Sequence, residues 1–299
     1  MSPDLLRTPD TRFANLPGYP FEPHHLDDIA VIEGTRLHYL DEGPADAQEL
    51  FLCLHGNPSW SYLYRKMIPV FTAAGHRTVA PDLPGFGKSD KPADDAVHTF
   101  TYHREVLSAF IERLDLKNIT LVCQDWGGLL GLTLPMGMPD RFARLLIMNT
   151  ALTTGDEPLS EGFVAWRDWS NTQDDLNVPK LFTRMAPHLS QAEYDAYGAP
   201  FPDKTYKGVL RRFPDMVPEN PDDDGAALSR QARAFWKNDW TGKTFMAIGM
   251  QDPVMGPATM NKLQALIRNC PPAYEVADGG HMIPEWGEDI AQKALAAFG

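Results

Sequence analysis

Three groups could do chemistry together: Asp125 in Gln124-Asp125-Trp126-Gly127-Gly128, Asp252 in Gly249-Met-Gln-Asp252-Pro253, and His281 in Asp278-Gly-Gly-His281. The first is flanked by a short apolar run, Ile119 to Cys123, that reads as a strand buried on both faces. After it, Leu130, Leu134 and Met138 recur at helical spacing. Glycines crowd the junction, as a sharp strand-to-helix turn with a strained apex requires, and Asp125 stands at that apex. A Ser there would need a base and would suit acyl transfer. A carboxylate can attack carbon directly, so its natural targets are sp3 carbons carrying a leaving group, such as a halide or an epoxide oxygen. The alkyl ester so formed must be hydrolysed by water. His281 would activate that water, and Asp252 would orient the imidazole and stabilise its cation. The helix N-terminus under Asp125 favours negative charge.

A departing halide needs hydrogen-bond donors rather than a proton. Indole donates and cannot accept, so Trp126 beside the nucleophile suits that task, with Trp166, and Trp169 one turn on, as candidates for a second donor. Trp236 and Trp240 read as packing residues. An epoxide would instead need tyrosine hydroxyls, and Tyr194, Tyr197 and Tyr206 keep that chemistry open. A third alternative, from another class, is a non-catalytic α/β-hydrolase shell used as a ligand receptor; there a broken set of residues is expected, and here each position is filled. The other histidines suggest no metal site: His24 and His25 lie in a tail, and His98 and His103 are five apart, off a shared helix face. Gly87-Lys88-Ser89 resembles the end of a phosphate-binding loop, but Asp82 stands where that loop requires Gly.

These residues need a scaffold that gathers strand ends. After a Pro- and aromatic-rich tail to about Asp27, Ile29 to Ile32 and Arg36 to Tyr39 read as a hairpin across Glu33-Gly34-Thr35. Leu50 to Leu54 is a buried strand ending in His55-Gly56-Asn57-Pro58. Trp60 to Thr72 and Phe100 to Leu114 read as helices, and Thr78 to Ala80, Arg144 to Met148, Lys243 to Gly249 and Ala273 to Ala277 as strands. Helices are expected at Pro257 to Ile267 and Glu288 to Phe298. Strands alternating with helices predict a mostly parallel sheet covered on both faces, with functional groups at the strand C-terminal ends. Between about Gly155 and Trp240 the strand pattern stops, which predicts a helical cap, residues 155–240, over a core of 1–154 and 241–299.

The 299 residues carry 40 acidic against 27 basic side chains, and the net charge of −13 argues against nucleic acid or anionic membrane as a partner. No signal peptide is visible in Met1 to Asp10, and no apolar run reaches membrane-spanning length. Three cysteines, Cys53, Cys123 and Cys270, suit a reducing cytoplasm rather than a disulfide framework.

The elbow motif, the His55-Gly56-Asn57-Pro58 loop, Asp252 and Asp278-Gly-Gly-His281 together resemble the haloalkane dehalogenases. Asp82 to Ser89, Phe163-Val-Ala-Trp166 and Asn238-Asp-Trp-Thr-Gly-Lys243 extend the similarity over most of the chain. The match is closest to the subgroup with two halide-binding tryptophans. The resemblance implies an α/β-hydrolase fold with an eight-stranded, mostly parallel sheet, and hydrolysis of small haloalkanes to alcohol, halide and proton without a cofactor or metal. It implies Asp125 as nucleophile, His281 as base, Asp252 as its acid partner, Trp126 and Trp166 as halide donors, and the backbone N–H groups of Asn57 and Trp126 as oxyanion hole. Another subgroup uses an Asn at the position of Asn57 as second halide donor, so Asn57 and Trp166 compete for that role. The partners expected are a small halogenated alkane and the halide product, with the protein a monomer.

Overall fold

The computed structural model describes residues 4–32 and 34–299. Its main sheet has eight strands: β1 His24–Leu26, β2 Leu37–Glu42, β3 Leu50–Leu54, β4 Arg77–Pro81, β5 Ile119–Gln124, β6 Phe142–Met148, β7 Lys243–Gly249 and β8 Tyr274–Val276. Their spatial order is β1-β2-β4-β3-β5-β6-β7-β8. All neighbouring pairs from β4 through β8 are parallel, while β2 runs antiparallel to both β1 and β4. Every residue of β3 and β5 is buried, as their unbroken apolar runs require of central strands covered on both faces. Among the described residues ten α-helices accompany the sheet: α1 Ile68–Ala73, α2 Phe100–Arg113, α3 Trp126–Gly131, α4 Glu161–Asn171, α5 Val178–Met185, α6 Gln191–Gly198, α7 Gly208–Arg212, α8 Ala226–Asn238, α9 Pro257–Leu266 and α10 Gly287–Phe298. The chain between β6 and β7 contains only helices and turns, with α4 to α8 in that span.

Local chemistry starts and stops these helices. The Thr99 hydroxyl accepts from Tyr102 N at the start of α2. Ser190 and Glu193 close a reciprocal capping box on α6. Among the described residues no helix is long and apolar enough to cross a membrane.

Some expectations are corrected. Residues 30–32 form a 3-10 turn rather than a strand, and β2 pairs instead with β1, inside the segment read as a tail; Glu33 of the expected hairpin lies outside the described residues. The triplet His24-His25-Leu26 has no strand pattern of its own, and cross-strand pairing with Leu37 to Tyr39 makes it one. The helix expected over Trp60 to Thr72 is split into a 3-10 turn, Ser61–Tyr64, and α1. Helix α3 ends at Gly131 instead of running to Met138, because Pro135 cannot donate to the carbonyl of residue 131 and its ring would clash there.

The sheet register positions the chemistry. Leu54 lies opposite Cys123, Gln124 opposite Met148, Met148 opposite Ala247, and Gly249 opposite Val276. The loops that follow β3, β5, β6, β7 and β8 therefore leave the sheet side by side.

Candidate active site

Asp125 occupies the step from β5 to α3 with φ 51° and ψ −127°, a conformation that costs a non-glycine residue on the order of 1–3 kcal/mol. The turn closes because α3 packs directly on the end of β3: a Cβ at Gly127 would lie 1.9 Å from the carbonyl oxygen of Leu54. The apex is held through Asp125 N donating to Asn149 O at 3.0 Å and the Thr150 hydroxyl donating to Asp125 O at 2.6 Å.

The carboxylate is 8% exposed and its two oxygens meet different neighbours. Oδ1 accepts the backbone N–H of Asn57 at 2.7 Å, and Oδ2 lies 3.4 Å from His281 Nε2. On the other side of the ring, His281 Nδ1 is 2.8 Å from Asp252 Oδ2. Asp252 accepts further bonds from Asn149 Nδ2 and Val254 N, both at 2.8 Å. Burial would lower the pKa of His281, but the charge of Asp252 and the hydrogen bonds to Asp125 and Asp252 outweigh it and raise the pKa to about 10. For Asp252 burial acts upward, and the cationic imidazole with the bonds from His281, Asn149 and Val254 holds it below the usual carboxylate range.

Asn149 directly follows the strand expected at Arg144 to Met148, and no local motif in the sequence marks it as part of the site. Here its amide joins Gly249 N at 2.8 Å and Asp252, tying the ends of β6 and β7 together. Gln124 was likewise seen only as a neighbour of the apex, yet it donates to the carbonyl of His281 at 2.9 Å. The one available signal was position: both are amides at strand C-terminal ends. The Asn57 loop is fixed by His55, whose Nδ1 meets Gly56 O at 3.0 Å while Nε2 accepts from Leu83 N at 3.0 Å. Asp82, which ruled out a phosphate loop, is buried and accepts from Ser61 N, Lys88 N and His38 Nδ1.

Asp125 and His281 open onto a cavity of about 550 Å³ whose wall includes Asn57, Trp126, Phe163, Trp166, Trp169 and Leu181. Trp60, Trp236 and Trp240, packed elsewhere, each donate their indole N–H to an oxygen, at 3.3, 2.8 and 3.0 Å. Among the described residues the indoles of Trp126, Trp166 and Trp169, all lining the cavity, make no such bond, so three donors are unspent there. Asn57 Oδ1 is buried with no partner among the described residues. Only the Asn57 amide reaches the Asp125 carboxylate; the Trp126 amide, at the open start of α3, makes no bond to it. No tyrosine lines the cavity: the Tyr194 hydroxyl donates to Ala186 O, that of Tyr197 to Glu285, and Tyr206 packs against the core.

His98 and His103 depart from expectation. His98 precedes the first residue of α2, so helical spacing does not separate the pair. Their rings stack with centroids 5.1 Å apart, and Nδ1 of His98 lies 3.0 Å from Nε2 of His103.

The chain is similar to known proteins over most of its length. A family model described as alpha/beta hydrolase fold matches residues 49–288. The chain is 48% identical to a haloalkane dehalogenase of Psychrobacter cryohalolentis, over 98% of this chain and 97% of that one. It is 40% identical to a haloalkane dehalogenase of Mycobacterium marinum, over 98% and 99%. Among solved structures, a haloalkane dehalogenase of Paraglaciecola agarilytica superposes with a TM-score of 0.97 at 51% identity, covering 99% of each chain. That relative is tetrameric, which does not fit well with the monomer expected from the sequence.

Proposed function

The chain belongs to the haloalkane dehalogenases, within the α/β-hydrolase fold, and we propose that it hydrolyses small haloalkanes to alcohol, halide and proton through an ester on Asp125. Residues 155–240 act as the cap over a core of 1–154 and 241–299, and the cavity between them takes the substrate.

The observation that carries this reading is the pairing of a buried, histidine-facing carboxylate with unspent indole donors, Trp126 and Trp166 among them, in one largely apolar cavity. In the first step Asp125 attacks the carbon bearing the halogen; the carbon–halogen bond breaks and its electron pair leaves with the halide, which Trp126 and Trp166 receive. Because the Asn57 amide already holds Oδ1, Oδ2 is the attacking oxygen and Oδ1 becomes the ester carbonyl. In the second step His281 takes a proton from water, whose oxygen attacks that carbonyl carbon. The oxyanion forms on Oδ1, where the Asn57 amide donates and the Trp126 amide at the start of α3 can join it. Collapse expels the alkoxide, which takes the proton from His281 and leaves as the alcohol, and the carboxylic acid left on Asp125 loses its proton to solvent and becomes the carboxylate again.

The electrostatics link the two steps. While Asp125 is charged, His281 sits between two carboxylates and is held as a cation with a pKa of about 10. Esterification removes the charge of Asp125 and so lowers that pKa, with Asp252 still beside the ring; the imidazolium gives its proton to solvent before it serves as the base. We assign the second halide contact to Trp166, whose indole lines the cavity, and the halide titrations of Trp166→Phe and Asn57→Ala separate it from the side-chain amide of Asn57, which lines the same cavity. The absence of tyrosine from the cavity lining disfavours epoxide opening.

Halide release from 1,2-dibromoethane, measured beside diol formation from a small epoxide, tests the reading. Wild type should release bromide, and Asp125→Ala should release none above background. Diol formation without halide release, or bromide release that survives the substitution, would overturn it.

A further inference from the structure

A buried ion cluster beside the site has no part in the steps above. Arg65, in the turn after Ser61–Tyr64, has a side chain only 2% exposed. Its guanidinium donates to both carboxylate oxygens of Glu285, at 2.5 and 2.9 Å, and to Glu193 at 2.6 Å. Lys66 Nζ lies 2.9 Å from the Glu285 carboxylate and donates to its carbonyl at 3.1 Å. The Tyr197 hydroxyl also donates to Glu285, which is fully buried. Burying ions is costly, and apolar packing of the same volume often stabilises a fold as well or better. Such a cluster is better explained by the geometry it specifies than by net stability.

Its members come from three places. Arg65 and Lys66 follow the Asn57 loop on the sheet side. Glu285 stands four residues beyond His281 in the same loop, and Glu193 and Tyr197 lie on α6. Two more contacts join the same parts. The carbonyl of Met185, at the end of α5, approaches Gly280 so closely that a Cβ there would lie 2.5 Å from it. The His188 ring packs on Trp286 with centroids 4.3 Å apart. The stretch from Met185 to Tyr197 therefore touches the loop on both sides of His281, and Met185, Pro187, Gly280 and His281 face the cavity together.

We propose that Arg65, Glu285, Glu193 and Tyr197 form a latch of positioning residues that seats the 185–197 stretch on the His281 loop and so holds the imidazole in the approach needed for ester hydrolysis. This role rests on the two-step reaction above. Attack by Asp125 uses no base, so the latch acts on the second step alone. Tyr197→Phe removes one arm while keeping the ring stacked on Phe182 at 3.5 Å. Glu193→Gln removes a charge from another while preserving a residue suited to the capping box.

The test is single-turnover rapid quench with 1,2-dibromoethane, following added mass on the Asp125 peptide in wild type and both variants. In each variant the ester should form at the wild-type rate and full amplitude, then decay roughly 3- to 10-fold more slowly, the effect of a slightly misplaced base. Wild-type decay rates in both variants would overturn the latch and leave the ester scheme standing. Parallel loss of formation and decay would mark a general structural role and overturn it too. A wild type that never carries the added mass would overturn the scheme and the latch with it.

Discussion

The ends of the sheet strands and the helices between β6 and β7 hold their functional side chains in different ways. At the strand ends, the carboxylates and the imidazole are committed to protein partners, Asp125 Oδ1 to Asn57 N, His281 Nδ1 to Asp252, and Asp252 to Asn149 and Val254, while the Trp126 indole beside them is free. In the helical segment the cavity-facing indole of Trp166 is uncommitted, and Trp169 is 39% exposed. The first arrangement keeps reacting groups in one geometry before any ligand arrives. The second leaves donors whose partner is the ligand itself. On the proposed reading, reaction chemistry is thus anchored to backbone register, and halide contact to side chains that can change without disturbing it.

Breaking the strand-end side should have the largest effect. His281→Ala should cut turnover on the order of 10²–10⁴-fold, the usual contribution of a general base, while the first step proceeds. Mass spectrometry after substrate exposure should find the alkyl group on the Asp125 peptide; an unmodified peptide would refute the division of labour between the two residues. On the helical side, Trp166→Phe removes one donor to a charged ligand, worth about 2 kcal/mol or roughly 30-fold in halide affinity. Quenching of tryptophan fluorescence by bromide should show that loss, and a much smaller one for Asn57→Ala. Equal effects of the two substitutions would move the second halide contact to the sheet side.

The smallest effect separates two kinds of buried histidine. Burial pushes the His98 pKa from 6.5 down to about 4. The unfolded chain takes up that proton first as pH falls, so the stability tied to neutral His98 is complete above about 6.5 and is lost toward 4, at ~1.4 kcal/mol per pH unit in between. His281 has the opposite sign: its raised pKa contributes stability below 6.5 that disappears as pH rises through about 10. His98→Gln should therefore lose less Tm than wild type between pH 7 and pH 5, by thermal denaturation. An unchanged acid limb would show that the His98–His103 pair does not control it.

Much of the site was legible because elbow, acid turn and histidine turn each carry a local signature: a glycine-crowded junction, an Asp-Pro after a strand, a Gly-Gly-His after the next. The helical interruption was legible as a lost period. What was not legible depends on partners distant in sequence. Asn149 acquires its role from Asp252, 103 residues away, and Arg65 from Glu285, 220 residues away. The His98–His103 contact was missed because the helix boundary falls between them, and the 30–32 turn because its apolar residues fit a strand pattern equally well.

By itself the sequence determined the alternation of strands and helices in the core from Leu50 onward, the acidic apex and residue types suited to the proposed two-step displacement, since periodicity, glycine placement and side-chain chemistry are local properties. The tertiary structure alone decided which oxygen of Asp125 faces the base, which indoles remain free, and which buried charges surround the histidine loop. Those depend on sheet register and on how the helices between β6 and β7 seat on the strand ends, and both follow from packing between segments that no local pattern encodes.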